Sequence, residues 1–172
     1  RYIAMGLTEK YRRVPSFVRE SLIRRAVDLI PTDPTKRSKI KSAQRLLAVV
    51  DRPKTGRYMH WMSTFNDETK RPLYSDSFRQ QIMSADATGI LDTWFKRANG
   101  IGVVDAMLLT DQMTYLPNDL LVKVDIATMA VSLEARSPFL DHHVIEFAAS
   151  LPQNLKLRGL TGKYLLKKVL RK

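Results

Sequence analysis

The stretch from Asn118 to Leu133, N-D-L-L-V-K-V-D-I-A-T-M-A-V-S-L, decides how this chain is read. Asn118 and Asp119 can cap a helix, and beyond them Lys123 and Asp125 are the only charged residues of the run. A helix that is apolar on nearly every side is buried on more than one face, so the pattern places this one at the centre of a domain. Lys and Asp are seldom buried without partners, because taking an isolated charge out of water is very unfavourable. Glu134 and Arg136 follow just before S-P-F-L-D over Ser137 to Asp141, and the four charges can neutralise one another in a buried ion network. Alternatively, some of Lys123, Asp125, Glu134 and Arg136 line a polar cavity for a charged substrate.

Downstream, Asp141 is placed to cap a helix whose apolar face is Val144, Ile145, Phe147, Ala148 and Leu151. His142 and His143 are adjacent and point different ways on a helix, His60 has no evident companion, and no metal-binding motif is visible. After Pro152, K-L-R-G-L-T-G-K over Lys156 to Lys163 leads into a last helix with Tyr164, Leu165, Leu166, Val169 and Leu170. Gly162 and Lys163 at a helix start suit an anion, since free amides and a cationic side chain meet there. The spaced upstream glycine and following hydroxyl of a Walker loop are missing, so a solvated basic turn is the plain alternative.

Upstream, helical spacing of apolar residues predicts helices over Ser16 to Ile30, between Pro15 and Pro31, and over Ser38 to Val50, with Ile40, Ala43, Leu47 and Val50 on one face. Asp51 to Gly56 reads as a turn. Tyr58, Met59, Trp61, Met62 and Phe65 then form a bulky cluster of the kind that fills cores. Asn66 to Pro72 reads as a loop, followed by helices near Ser77 to Ser84, Thr88 to Ala98 and Val104 to Tyr115, with a break at Asn99, Gly100 and Gly102. No alternating strands with hairpin signals stand out. The expectation is an all-α fold: one helical domain over residues 1 to 172, without a nucleotide-binding α/β sheet.

The chain has 172 residues, no cysteine and a net charge of +12. Without cysteine there are no disulfides, thiolate metal sites or thiol nucleophiles, and a cytoplasmic protein is the simplest reading. No apolar run reaches the roughly 20 residues of a membrane span, and the first residues show no signal-peptide core. Lacking an initiator methionine, the sequence reads as an excised piece. Its charge is uneven: +10 over Arg1 to Arg57, −5 over Tyr58 to Leu155 and +7 over Lys156 to Lys172. Basic ends favour an anionic partner, such as nucleic acid, nucleotide phosphate or an acidic neighbouring domain. A basic nucleic-acid module on the Arg12 to Arg57 surface predicts salt-sensitive binding, but no base-reading motif accompanies the charge.

Y-L-P-N-D-L-L-V-K-V-D over Tyr115 to Asp125, Met129 to Leu133, and E-A-R-S-P-F-L-D over Glu134 to Asp141 closely resemble the signature of glutamine-hydrolysing asparagine synthetases. The likeness runs on through E-F-A-A-S-L-P, from Glu146 to Pro152, to T-G-K-Y-L-L, from Thr161 to Leu166. A weaker likeness covers Arg57, Tyr58 and Trp61 to Ser75. The resemblance implies the helical C-terminal portion of a synthetase domain that uses ATP and Mg to adenylate aspartate, with ammonia from a glutaminase domain then displacing AMP. It also implies that the remainder of the synthetase and the glutaminase domain are the partners; a homodimer of the intact enzyme is compatible with it. By the same likeness Lys163 corresponds to a lysine contacting ATP phosphates, and Lys123, Asp125, Glu134 and Arg136 lie near the active site. Val124, Ala135 and Ser137 fall where the family lines its ammonia tunnel.

Several family segments are absent from these residues. They include the Ser-Gly-Gly-x-Asp-Ser pyrophosphate loop, the acidic Gly-Asp-Gly-Gly-Asp-Glu-like loop, the N-terminal nucleophilic cysteine and a catalytic lysine expected beyond Lys172. The polypeptide by itself is therefore expected to be inactive. Relatives with the same adenylation chemistry and other products, such as β-lactam synthetases, peptide cyclases and polysaccharide amidotransferases, are the nearest alternatives.

Overall fold

A computed structural model describes residues 1–19, 25, 39–65, 67–82 and 88–171 of the chain. Most of the helix expected over Ser16 to Ile30, and the first residue of the one expected over Ser38 to Val50, lie outside these residues; within them Ser16–Val18 forms a helical turn after Pro15. The chain divides into two compact units, residues 3–92 with Arg1, and residues 93–172 with Tyr2. No linker composition marks that division in the sequence, because it falls inside a helix.

In the first unit, α1 (Tyr2–Arg12) buries Met5 and Thr8 one turn apart, and the Thr8 hydroxyl donates back to the Ala4 carbonyl at 2.8 Å. Helix α2 (Lys39–Leu47) buries Leu47, and the chain leaving it buries Val49 and Val50; of the expected face Leu47 and Val50 are thus buried and Ala43 half-buried, while the Ile40 side chain lies outside the described residues. Helix α3 (Lys54–Met62) starts inside the expected turn, because Pro53 takes the position before the first helical residue and has no amide to satisfy there. The aromatic cluster is divided: Tyr58 is buried, whereas Phe65 is exposed. The expected loop over Asn66 to Pro72 is instead two short helical turns in its described part, Asp67–Lys70 and Arg71–Leu73. Helix α4 (Asp76–Ile82) follows.

The least expected member of this core is Arg57, whose side chain is 0% exposed. Its Nη2 donates to Glu9 Oε1 of α1 at 2.6 Å, which ties α3 to α1. Its Nε and Nη1, and the indole Nε1 of Trp61 one turn along α3, are buried donors with no acceptor among the described residues.

Helix α5 (Gly89–Arg97) spans the division; Thr55 in the first unit bonds Asp92 through its hydroxyl. In the second unit Phe95, Ala98, Val104, Ala106, Met107 and Thr110 are buried, mostly from α5 and α6 (Val103–Met113). Gly100 has φ 92, the left-handed backbone that the break between α5 and α6 requires. Asp111, on α6, is buried with the Tyr2 hydroxyl against it.

Beyond α6 the sequence and the structure part company. Leu116–Leu121 forms a wide i→i+5 helical turn, and α7 (Val122–Met129) continues from it with no side-chain cap. Asn118 does not cap α7; its amide Nδ2 donates to the Thr114 carbonyl at 2.8 Å. Among the described residues α7 buries nothing, which corrects the expectation of a central helix: Ile126, Met129, Val131 and Leu133 all stand in solvent. A helix apolar on all sides needs cover on all sides, and these residues pack no second layer over it.

Helix α8 (His142–Ser150) begins as expected, with Asp141 Oδ1 accepting from the amides of His143 at 2.9 Å and Val144 at 3.3 Å. Its apolar face is nonetheless open, with Val144 and Phe147 exposed. After a turn at Gln153–Lys156, two strands absent from the sequence-based reading, β1 (Leu157–Arg158) and β2 (Thr161–Gly162), pair antiparallel. Helix α9 (Tyr164–Val169) closes the described chain, which is helical apart from this small pair.

Candidate functional site

The residues singled out in the sequence all belong to the second unit, on the segments 122–137 and 157–164. On α7 the wide turn brings Asp119 one turn before Lys123, and their side chains pair at 3.2 Å. The pair is exposed, with Lys123 at 66% of its free surface, so it is a solvated i,i+4 contact. Glu134 and Arg136 pair with each other at 2.8 Å on the irregular segment after α7, also in solvent. Asp125 is exposed on α7 and has no ion pair among the described residues. The expected buried network of Lys123, Asp125, Glu134 and Arg136 is therefore replaced by two separate surface pairs. The physical reason is that α7 is uncovered: charges that keep their water need no mutual neutralisation.

Val124, Ala135 and Ser137 are likewise exposed. A tunnel needs a wall on every side, and among the described residues nothing encloses these three. The end of α7 is sharply defined: Ser132 takes a left-handed backbone, φ 58, while the Leu133 amide donates to the Thr128 carbonyl at 3.0 Å. That is the helix stop at which glycine is the commonest residue.

Lys163 is the other non-glycine residue with positive φ among those described, at 54, and it occupies the position immediately before α9. Its side chain is exposed. Three hydrogen bonds brace its neighbourhood. Lys156 Nζ donates to Asp105 Oδ1 at 3.0 Å and to the Ala149 carbonyl at 2.9 Å, and Arg158 Nη1 donates to the Tyr164 hydroxyl at 2.6 Å. Lys156, Arg158 and Tyr164 were not singled out in the sequence; Gly159 inside L-R-G-L-T was the available hairpin signal.

No three His, Asp or Glu side chains come together as a metal site among the described residues, and none of the described helices is long and apolar enough to cross a membrane.

The asparagine synthase family model matches residues 10–172. The chain belongs to the asparagine synthase family. It is 34% identical over 116 residues to asparagine synthetase [glutamine-hydrolyzing] 1 of Bacillus subtilis, covering 67% of this chain and 18% of that protein. It is 42% identical over 93 residues to a putative asparagine synthetase [glutamine-hydrolyzing] of Mycobacterium tuberculosis, covering 54% of this chain and 14% of that one. The match thus spans less than a fifth of the length of these relatives. No solved structure matches the chain significantly.

Proposed function

We propose that this chain is the helical part of the synthetase module of a glutamine-hydrolysing asparagine synthetase, and that it supplies one wall of the site that adenylates aspartate. The observation that carries the reading is the family match across residues 10–172, together with relatives named for that activity. In the reaction the aspartate side-chain carboxylate attacks the α-phosphorus of ATP, pyrophosphate leaves, and ammonia then displaces AMP to give asparagine. Such a site neutralises phosphate charge and keeps water from an acyl-adenylate.

Lys163 is suited to neutralising phosphate, since its ammonium stands free of side-chain acceptors in the described structure, on a backbone fixed in an uncommon conformation. Lys123, Asp125, Glu134 and Arg136 border the substrate side, and Val124, Ala135 and Ser137 form one face of the ammonia path. In this reading the partner of α7 and α8 is the remainder of the synthetase, whose packing over Ile126, Val131, Leu133 and Phe147 turns surface into pocket wall. An exposed apolar surface of this extent marks an interaction site.

The test compares the 172-residue chain with the intact synthetase in Mg-ATP, aspartate and ammonia, reading pyrophosphate release. The chain alone is expected to give background and the intact enzyme an aspartate-dependent signal. Release by the chain alone, or an intact enzyme indifferent to aspartate, overturns the reading.

A further inference from the structure

Lys163 is held in a left-handed backbone that a residue with a Cβ adopts only at a disadvantage. Nothing in Lys163 itself favours that state, so its neighbours must impose it. On the amino side Gly162 is in register with Leu157, and Thr161 with Arg158, across a hairpin whose loop begins with Gly159 at φ 58. The hairpin is footed on the unit: Lys156, 18% exposed, reaches both Asp105 of α6 and the Ala149 carbonyl of α8. Gln153, at the start of the same turn, lies so close over Gly102 that a Cβ there would stand 2.8 Å from its Oε1.

On the carboxyl side the next residue, Tyr164, is gripped twice by Arg158. The guanidinium lies 5.0 Å from the ring centroid and Nη1 meets the hydroxyl at 2.6 Å. Arg158 thus fastens the first residue of α9 to the strand opposite β2, and Lys163 is the residue between the two fixed points. If Tyr164 were released, Lys163 could turn right-handed and join α9 as its first residue, which would swing its side chain away.

We propose that Arg158 is a positioning residue: through the Tyr164 ring it locks Lys163 in the left-handed state and so aims the Lys163 ammonium at substrate phosphate. The aim of the ammonium rests on the functional reading above; the lock does not.

The experiment has two arms. In the 172-residue chain, the intraresidue amide-to-Hα NOE of Lys163, strong only at positive φ, is compared in wild type, Arg158→Ala and Tyr164→Phe. Arg158 and Tyr164 hold no buried position, so both variants are expected to fold. The NOE is expected to collapse in Arg158→Ala and to weaken partly in Tyr164→Phe, which keeps the ring under the guanidinium. An unchanged NOE in Arg158→Ala overturns the lock. In the intact synthetase, Arg158→Ala is expected to raise KM for ATP about tenfold while kcat changes less than about twofold. Loss of the NOE with an unchanged KM for ATP leaves the lock standing and removes the phosphate role of Lys163.

Discussion

Glu9 and Arg57 should respond to mutation very unequally, although they form one ion pair. Arg57 is wholly enclosed and already carries two unmatched donors, Nε and Nη1, whereas the Glu9 side chain keeps 34% of its surface in water. Glu9→Leu strips the guanidinium of its one acceptor among the described residues and leaves a buried, uncompensated charge, a loss of about 3–5 kcal/mol. Arg57→Met removes the enclosed charge, keeps most of the volume and lets Glu9 turn to solvent, so the loss stays below about 1.5 kcal/mol. The double variant discards the pair outright and should sit near wild type or above it, which makes the two single effects strongly non-additive. Urea unfolding followed by Trp61 fluorescence, in a Trp94→Phe background, reports on the first unit, since Trp61 lies one turn from Arg57 on α3. If Arg57→Met proves as damaging as Glu9→Leu, the difference in burial does not govern the pair and the prediction is refuted.

Three further outcomes follow from the second unit. Ser132→Gly should raise stability by roughly 1 kcal/mol, since glycine takes the φ 58 backbone without a Cβ penalty, and a higher urea midpoint checks it. Asp141→Ala removes the acceptor for the His143 and Val144 amides and should lower stability by about 1 kcal/mol in the same measurement. The 172-residue chain should self-associate in sedimentation velocity through its exposed apolar residues and Ile126→Glu with Val131→Glu should return it towards monomer; equal sedimentation of the two refutes this.

Periodicity located most of the helices, because apolar spacing is a local property that the backbone must obey. The Asp141 cap was readable for the same reason: one acceptor and two neighbouring amides suffice. Arg57 was not readable, since a single arginine inside an aromatic cluster gives no sign that a carboxylate on a helix some fifty residues upstream will enclose it. The partner of Lys123 was available in the sequence, as Asp119 stands four residues before it, yet the stronger apolar signal drew the pairing towards Glu134 and Arg136. That apolar signal states a need for cover and does not say which chain segment provides it. The hairpin was missed because two paired residues per strand offer no alternation to detect. Family membership came from motif likeness, and the roles of Lys163, Lys123 and Asp125 rest on that likeness rather than on convergence of their side chains.

The wide turn at Leu116–Leu121 gives the direction of α7 an unusual origin. A regular helix advances about 100° per residue, so rewinding those six residues into ordinary α geometry would rotate every side chain from Val122 to Met129 by that angle. Which way Lys123 and Asp125 look is accordingly written in the main-chain bonding ahead of them, with no packed neighbour on α7 to overrule it. A single-residue insertion or deletion before Val122 could redirect both side chains while leaving each of them in place in the sequence.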